Sequence, residues 1–360
     1  MTTDRDLARW RLHSQLLAAP VADAEQVVRT LLGVQAENPS QSAWAVATRT
    51  AASDQDDLGG AIASGRVLRT HVLRPTWHYV HADDAKWLLD LTAPRVLPVI
   101  DQQVQGLGER MSPLIDLLTT TLAEHPGRTR SDLADIVAER ERGTALTGFQ
   151  LMLLMAHLEM HAIVCSGVPR DGEHTYALFA DRVPDPRRLD RDEALAELAL
   201  RYFTSHGPAT DRDLAYWATL TLTDARRGRE LAAAGDHLDS FEHDGRTFWH
   251  APRDIPSSAE PAGHLLQMLD EMYRGYQDSR WVLDADGLVG RGARAPAIGM
   301  ALVEGQLVAG MKRTLSAKAV TFEIRPYRAL RKPELGAIRD AADRYGDYLD
   351  LEPRVKVAEG

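Results

Sequence analysis

The segment His125-Pro-Gly-Arg-Thr-Arg-Ser-Asp-Leu-Ala134 returns in altered form later in the chain, as His206-Gly-Pro-Ala-Thr-Asp-Arg-Asp-Leu-Ala215. The two copies match at His, Thr, Asp, Leu and Ala, with one constant offset of 81 residues. Self-similarity at a fixed spacing marks repeated structural units. The repeat therefore predicts two copies of one fold, with Leu133 and Leu214 in equivalent core positions.

The predicted elements follow the same order in both copies. A helical pattern runs into a Gly/Pro break, and a Thr then caps a short helix that carries Asp-Leu-Ala. In the first copy a second amphipathic helix follows over 148–161, and then a predicted hairpin of Ile163-Val-Cys and Thr175-Tyr-Ala-Leu-Phe179. The second copy ends likewise, with strand-like runs at 238–242 and 247–249. This is the element order of a winged helix.

The segments on either side extend this organisation. Residues 1–81 fit a third, more divergent version, with helices near 7–17, 24–32 and 39–50 and a strand-like stretch at 67–80. After about residue 262, short apolar runs such as Trp281-Val-Leu alternate with turn signals, and this pattern predicts a small antiparallel sheet or barrel before a closing helix at 333–349.

The predicted fold is therefore α+β, with three tandem winged-helix domains followed by a C-terminal small β-barrel. The predicted boundaries are 1–105 for the first winged helix, 106–185 for the second, 186–256 for the third and 257–360 for the barrel domain.

Composition narrows the class of protein. Apolar residues make up 44% of the 360 residues and charged residues 26%, as in an ordinary folded chain. The single cysteine, Cys165, fits a reducing compartment and lies in an apolar run, which predicts a buried structural thiol. We find no apolar stretch of membrane-spanning length and no signal peptide, so we expect a cytoplasmic protein with no membrane partner. We also expect a monomer. The net charge of −10 argues against general polyanion binding, although arginine clusters leave local basic surfaces open.

Gln35 and Glu37 are the strongest candidates for chemistry. Asn38 and Pro39 suit the N-cap and first position of a helix, so Gln35 and Glu37 are expected in extended backbone just before it. Side chains two apart in a strand point to one side, so both could reach one ligand. A carboxylate before a helix N-terminus is favoured in its ionised form, which suits a base. The alternative is that both side chains only satisfy backbone donors in an irregular connection.

A second candidate segment is Arg69-Thr-His-Val-Leu-Arg-Pro-Thr-Trp-His-Tyr-Val80, which is dense in polar and aromatic groups. One interpretation is an amphipathic strand with tryptophan in the core. The other is a pocket beside Glu37. The candidate substrate- or DNA-binding residues are Asn38, His71, Arg74, Thr76 and His78.

His157 and His161 lie one helical turn apart, as two metal ligands might. The zincin pattern places Glu directly after the first His, whereas here Glu159 is displaced by one position. Histidines of the core or of a recognition helix are therefore the preferred interpretation. The sequence contains neither a phosphate-cradling Gly loop nor a nucleotide fingerprint, and we expect no metal or other cofactor.

Several stretches together resemble one known family. These are Gly33-Val-Gln-Ala-Glu-Asn-Pro39, Ser42-Ala-Trp-Ala-Val-Ala47, the segment 69–78 and the late Leu269-Asp-Glu with Gly275-Tyr. In this order they resemble the AlkZ/YcaQ-like winged-helix DNA glycosylases over nearly the whole chain. The resemblance implies three winged helices, a C-terminal β-barrel, and double-stranded DNA carrying an alkylated purine as the partner.

The resemblance also implies an activity. The family removes N7-alkylated purines, including bulky adducts and interstrand crosslinks, and its motif of Gln, an apolar residue, then Gln or Asp falls on Gln35, Ala36 and Glu37. Glu37 departs from that motif by one methylene relative to Asp, which could displace a catalytic base by about 1 Å. Two alternatives remain: a winged-helix DNA-binding protein or regulator without catalysis, and a fold that now binds a small molecule or a protein.

Overall fold

A computed structural model describes residues 2–140, 146–252, 262–290 and 299–358. In its first part, four of five helices pack against a three-stranded sheet of order β1-β3-β2, while the first helix packs against the C-terminal part of the chain. The elements are α1 (Asp4–Ser14), α2 (Ala24–Leu31), β1 (Val34–Gln35), α3 (Pro39–Ala47), α4 (Gln55–Ala63), β2 (Val67–Val72), β3 (Arg74–His81) and α5 (Ala82–Val104).

The strand-like stretch predicted at 67–80 is a tight hairpin of two strands rather than one strand. Leu73, at the turn between β2 and β3, has a φ of 65°. Helices α4 and α5 are further elements that the sequence pattern did not predict. Helix α5 contains Pro94 and Pro98, residues that normally indicate a helix boundary.

The next two parts each contain helices that end in a β-hairpin, as the repeat predicts. After a 3₁₀ helix at Gln105–Arg110, the first contains α6 (Met111–Glu124), β4 (Arg128–Thr129), α7 (Arg130–Arg140), α8 (Gly148–Met160), β5 (Val164–Ser166), β6 (Thr175–Leu178) and α9 (Phe179–Arg182). The second contains α10 (Arg191–Ser205), α11 (Asp211–Trp217), α12 (Leu222–Ala233), β7 (Asp239–His243) and β8 (Arg246–His250).

A capping box explains why the repeat conserves Thr and Asp three residues apart. In the first copy the Asp132 amide donates to Thr129 Oγ1 at 3.1 Å, and the Thr129 amide donates to Asp132 Oδ2 at 2.9 Å. Thr210 and Asp213 make the same reciprocal pair at the start of α11. Two otherwise unpaired backbone donors are satisfied each time. Leu133 and Leu214 are both buried, as predicted.

The C-terminal part corrects the predicted barrel. It contains β9 (Gly263–Leu266), α13 (Glu271–Arg274), β10 (Gly299–Val303), β11 (Gln306–Leu315), β12 (Ala319–Pro326), α14 (Lys332–Leu349) and β13 (Glu352–Val357). The strand order is β13-β12-β11-β10-β9, and no pairing among the described residues joins the two outer strands. Helix α14 packs against both of these edge strands, so the sheet stays open as a half-barrel. Its last strand joins β12 in parallel.

Two further expectations meet the structure in this region. Trp281-Val-Leu, predicted as a strand, lies in a 3₁₀ helix over Arg280–Asp284 that buries Val282 and Leu283. The predicted boundary between residues 256 and 257 lies outside the described residues, and the other boundaries remain predictions.

The thiol of Cys165 is buried, as expected, and burial raises its pKa to about 12. Within the described ranges, every helix is too short or too polar to cross a bilayer.

Helices α10 and α12 approach closely at Gly228. A Cβ atom at this position would lie 2.5 Å from the Leu195 carbonyl oxygen of α10. We therefore expect Gly228→Ala to lower the free energy of unfolding by about 1 to 3 kcal/mol, the range for overpacking. Gly336→Ala in α14 is the matched control, because a Cβ there meets nothing within 4 Å. The control should gain about 0.5 to 1 kcal/mol in denaturant unfolding. If Gly228→Ala were as stable as the wild type, this result would contradict the close contact between α10 and α12.

Candidate active site

The site begins at the short strand β1, where Gln35 pairs with His78 of β3. The ladder continues for one more backbone bond, from the Ala36 amide to the Trp77 carbonyl at 2.7 Å. At Glu37 the hydrogen bond to β3 is made by the side chain: its Oε1 accepts from the Trp77 amide at 3.0 Å. Gln35 is thus in extended backbone, as predicted, while Glu37 lies in the bend that follows.

Asn38 and Pro39 occupy the N-cap and first turn of α3, as the sequence predicts. Asn38 Oδ1 accepts hydrogen bonds from the Ser40 hydroxyl at 3.1 Å and the Gln41 amide at 3.4 Å. The start of α3 is therefore fixed by local chemistry, and this fixes the half-buried Glu37 just before it.

Gln35 opens onto a cleft of about 510 Å³. Arg74 reaches Gln35 Oε1 from Nη2 at 3.3 Å and His78 Nε2 at 3.0 Å. Thr76 Oγ1 is buried and has no hydrogen-bond partner among the described residues. The cleft is lined by Gln35, Arg74, Pro75, Thr76, Arg95, Ala215, Tyr216, Thr219, Leu220 and Arg274.

The imidazole of His78 is neutral in this arrangement. Burial lowers its pKa to about 3, and the Arg74 guanidinium adds to the effect. Since Arg74 can only donate, Nε2 of His78 accepts, and Nδ1 donates to the Thr76 carbonyl at 3.0 Å. His78 therefore orients Arg74 toward Gln35 rather than acting as an acid.

Glu271 is a site residue that sequence reasoning missed. Its Oε1 accepts the Gln35 amide at 3.0 Å, and its Oε2 accepts the Trp217 indole N–H at 2.8 Å. Burial by itself would raise the pKa of Glu271, but His206 and Arg74, each 3.6 Å away, hold it at about 2. The sequence signal for Glu271 was the segment Leu269-Asp-Glu, which was part of the family resemblance but had no function assigned to it.

His71 lies apart from the other candidates. It is buried, and its Nδ1 contacts Glu159 of α8, which also accepts the Trp77 indole N–H at 3.2 Å. The Arg69 guanidinium lies over the indole ring of Trp77, 4.3 Å from the ring centroid. The structure thus brings Gln35, Arg74 and Thr76 together in the cleft. It places the fully buried His78 behind Arg74, outside the cleft lining, and His71 behind Trp77.

Asn38 faces a second cleft, of about 320 Å³, on the side of the C-terminal sheet. Its lining includes Gln267, Lys312 and Arg313, and the buried Gln267 Nε2 has no partner within the described ranges. Glu37 lies between Gln35 and Asn38 in the chain, but it is not among the lining residues of either cleft.

One group of potential metal ligands occurs within the described residues. It consists of Asp101, His157 and His161, whose ligand atoms lie within 4.8 Å of one another. None of these residues lines the Gln35 cleft.

Comparisons with known proteins give a consistent result. The family described as "DNA glycosylase AlkZ-like" matches residues 28–348. The interstrand DNA cross-link repair glycosylase of Streptomyces sahachiroi is 27% identical over 261 residues, which cover 67% of this chain and 68% of that protein. The solved structure of the Streptomyces sahachiroi DNA glycosylase AlkZ superposes with a TM-score of 0.73 at 20% identity, covering 99% of both chains.

Proposed function

The chain belongs to the AlkZ-like family of DNA glycosylases, and on this basis we propose which residues hydrolyse the N-glycosidic bond and which lesions they act on. The proposed substrate is double-stranded DNA that carries an N7-alkylated purine, with bulky adducts and interstrand crosslinks included. The observation that carries the proposal is the Gln35–Glu37 turn, which a backbone amide and a buried carboxylate hold in place.

The proposed chemistry needs no strong acid. A purine alkylated at N7 is cationic and already a good leaving group, so the protein must stabilise the oxocarbenium-like sugar and orient water. Glu37 suits this role because Oε1 is fixed by the Trp77 amide, while Oε2 has no hydrogen bond within the described part of the chain. Oε2 would accept a proton from the attacking water and face the positive charge of the sugar.

Gln35 is proposed to position the water or the sugar. Its backbone is held by Glu271 and its side-chain oxygen by Arg74, so its amide NH₂ group remains to face the cleft. Arg74 is itself held by His78 and the Arg274 carbonyl. Such supported groups lose little orientational freedom when the transition state forms. His71 is proposed to act at a distance, by fixing Glu159 behind Trp77.

The decisive experiment is base excision from duplex DNA containing N7-methylguanine, scored by released base and by heat-labile abasic sites. The proposal predicts excision that requires Glu37. A crosslinked duplex in parallel tests the larger substrate, since the Streptomyces sahachiroi relative is a cross-link repair glycosylase by name. Specific binding without any excision on either DNA would favour the second candidate, a DNA-binding protein without catalysis. The occupied Oε1 of Glu37 is the observation that favours that candidate.

Three arginines of the Gln35 cleft, Arg74, Arg95 and Arg274, are proposed to contact DNA phosphates. Arg95 is exposed, so Arg95→Ala should weaken binding of all duplexes alike while leaving the fold intact. The slope of log affinity against log salt should become shallower by about 0.9, the contribution of one phosphate. Arg354→Ala is the matched control, because Arg354 pairs with Glu352 on the distant strand β13. An unchanged slope in Arg95→Ala would remove this residue from the interface.

The architecture supports a finer proposal. We propose that the parts within 1–105, 106–185 and 186–256 are three winged-helix domains, because each runs through helices into a β-hairpin. We also propose that the enzyme acts in the cytoplasm as a monomer, which light scattering would test. The buried free thiol of Cys165 agrees with a reducing compartment.

A further inference from the structure

Asp101 of α5 meets His157 and His161 of α8 at a point where the two helices pack together. His157 Nδ1 and Asp101 Oδ1 lie 2.8 Å apart, and the two imidazole centroids are 4.4 Å apart. One potential ligand atom from each residue falls within 4.8 Å of the others. The sequence alone contained only the histidine pair, and the fold adds the carboxylate.

The chemistry of this group matches a divalent transition metal. Two imidazoles and one carboxylate are typical zinc ligands, and in a tetrahedral site neighbouring ligand atoms lie about 3.3 Å apart. Closing the group to that spacing needs small side-chain movements. The side chain of His157 is only 11% exposed and is held in place, whereas that of Asp101 is 42% exposed and His161 is also exposed, so both can turn toward an ion.

The alternative is an ordinary Asp–His hydrogen bond with a second histidine stacked beside it. That arrangement accounts for Asp101 and His157. It treats His161, an exposed residue at the C-cap of α8, only as a ring contact of His157, and it assigns no role to the His161 ring nitrogen that lies within 4.8 Å of ligand atoms of the other two residues.

We propose that Asp101, His157 and His161 form a binding site for Zn²⁺, with water as the fourth ligand, and that the ion fastens α5 to α8. Both helices support the hairpin that carries the candidate active site. Helix α5 follows β3 directly, and α8 supplies Glu159 to the indole of Trp77. The ion therefore acts by joining the two helices, and none of its three ligands lines the cleft of Gln35.

The test uses the full-length, tag-free chain after treatment with a chelator. Calorimetric titration with Zn²⁺ should give one site per chain, and Co²⁺ should give the visible absorption of a tetrahedral ion. His161→Asn and Asp101→Asn should each weaken Zn²⁺ binding by about tenfold or more, as loss of a metal-site group does. His125→Asn, at another exposed histidine, should bind like the wild type.

Thermal unfolding gives an independent readout, because an ion that binds only the folded state raises the unfolding midpoint. Zn²⁺ should raise the midpoint of wild type and His125→Asn but not that of His161→Asn. Metal-free variants should unfold at the wild-type midpoint, which shows that they fold. The proposal is overturned if Zn²⁺ does not bind the wild type saturably, or if it binds and stabilises His161→Asn and Asp101→Asn as it does the wild type.

Discussion

Glu37→Gln lowers the rate of base excision by at least about a hundredfold and leaves the thermal unfolding midpoint unchanged. Glutamine keeps an oxygen for the Trp77 amide, so the turn should hold its shape. The variant removes the negative charge that faces the sugar and the base that activates water, and losing a positioned base has an effect of about this size. The measurement is single-turnover release of N7-methylguanine from duplex DNA.

Two further variants sharpen this prediction. Glu37→Asp restores one of the family's residues and should retain far more activity than Glu37→Gln. Glu352→Gln removes an exposed carboxylate from β13 and should change nothing. Equal rates for wild type and Glu37→Gln on the best substrate would remove the carboxylate of Glu37 from the mechanism.

The second large effect concerns stability. Arg49→Met should lower the free energy of unfolding by about 3 to 5 kcal/mol, the usual result of breaking a buried ion pair. Arg49 Nη2 lies 2.8 Å from Asp270 Oδ1, and neither side chain is exposed to solvent. Without Arg49 the carboxylate of Asp270 is buried without a cation. Denaturant unfolding would measure the loss.

The control for this prediction is an exposed pair of the same chemistry. Arg227 and Asp192 are 51% and 55% exposed, so Arg227→Met should change stability by less than about 1 kcal/mol. The double variant Arg49→Met/Asp270→Leu should recover part of the loss, because no charge remains buried. A double variant as unstable as Arg49→Met would show that the loss comes from packing, from the bonds of Arg49 to the Gln15 and Ala45 carbonyls, or from the N-cap that Asp270 gives to α13.

Local chemistry explains which features the sequence predicts well. The Asn38–Pro39 helix start and the Thr-x-x-Asp caps of the repeat depend on neighbours within four residues, and the structure confirms them. The strand containing Thr76 and His78 was also predictable from alternation. The same helix start identified Gln35 and Glu37 as candidates, and the family resemblance added the motif to them.

Long-range pairing explains what the sequence did not predict. Glu271 reaches Gln35 across the chain, and no local pattern distinguishes it from a solvated acid at a helix start. Arg95 lies in the proline-containing α5, whose pattern obscured the helix itself. The open form of the C-terminal sheet depends on β13, an edge strand that pairs in parallel with β12 only after the intervening helix α14. His71 and Trp77 were predicted within an amphipathic strand or a pocket beside Glu37, but their partner Glu159 comes from another part of the chain.

The pairing of Arg49 and Arg74 with Asp270 and Glu271 has a consequence for synthesis of the chain. Glu271 is made 236 residues after Gln35, which takes on the order of 10 to 50 s at ordinary rates of translation. Until then Arg49 and Arg74 lack their carboxylate partners, Asp270 and Glu271. The backbone just before Glu37 also lacks the hydrogen bond from the Gln35 amide to Glu271. We therefore expect the N-terminal part to complete its fold last, although the ribosome makes it first. A nascent chain should consequently be unable to cut bases from DNA until the segment that carries Asp270 and Glu271 has been made.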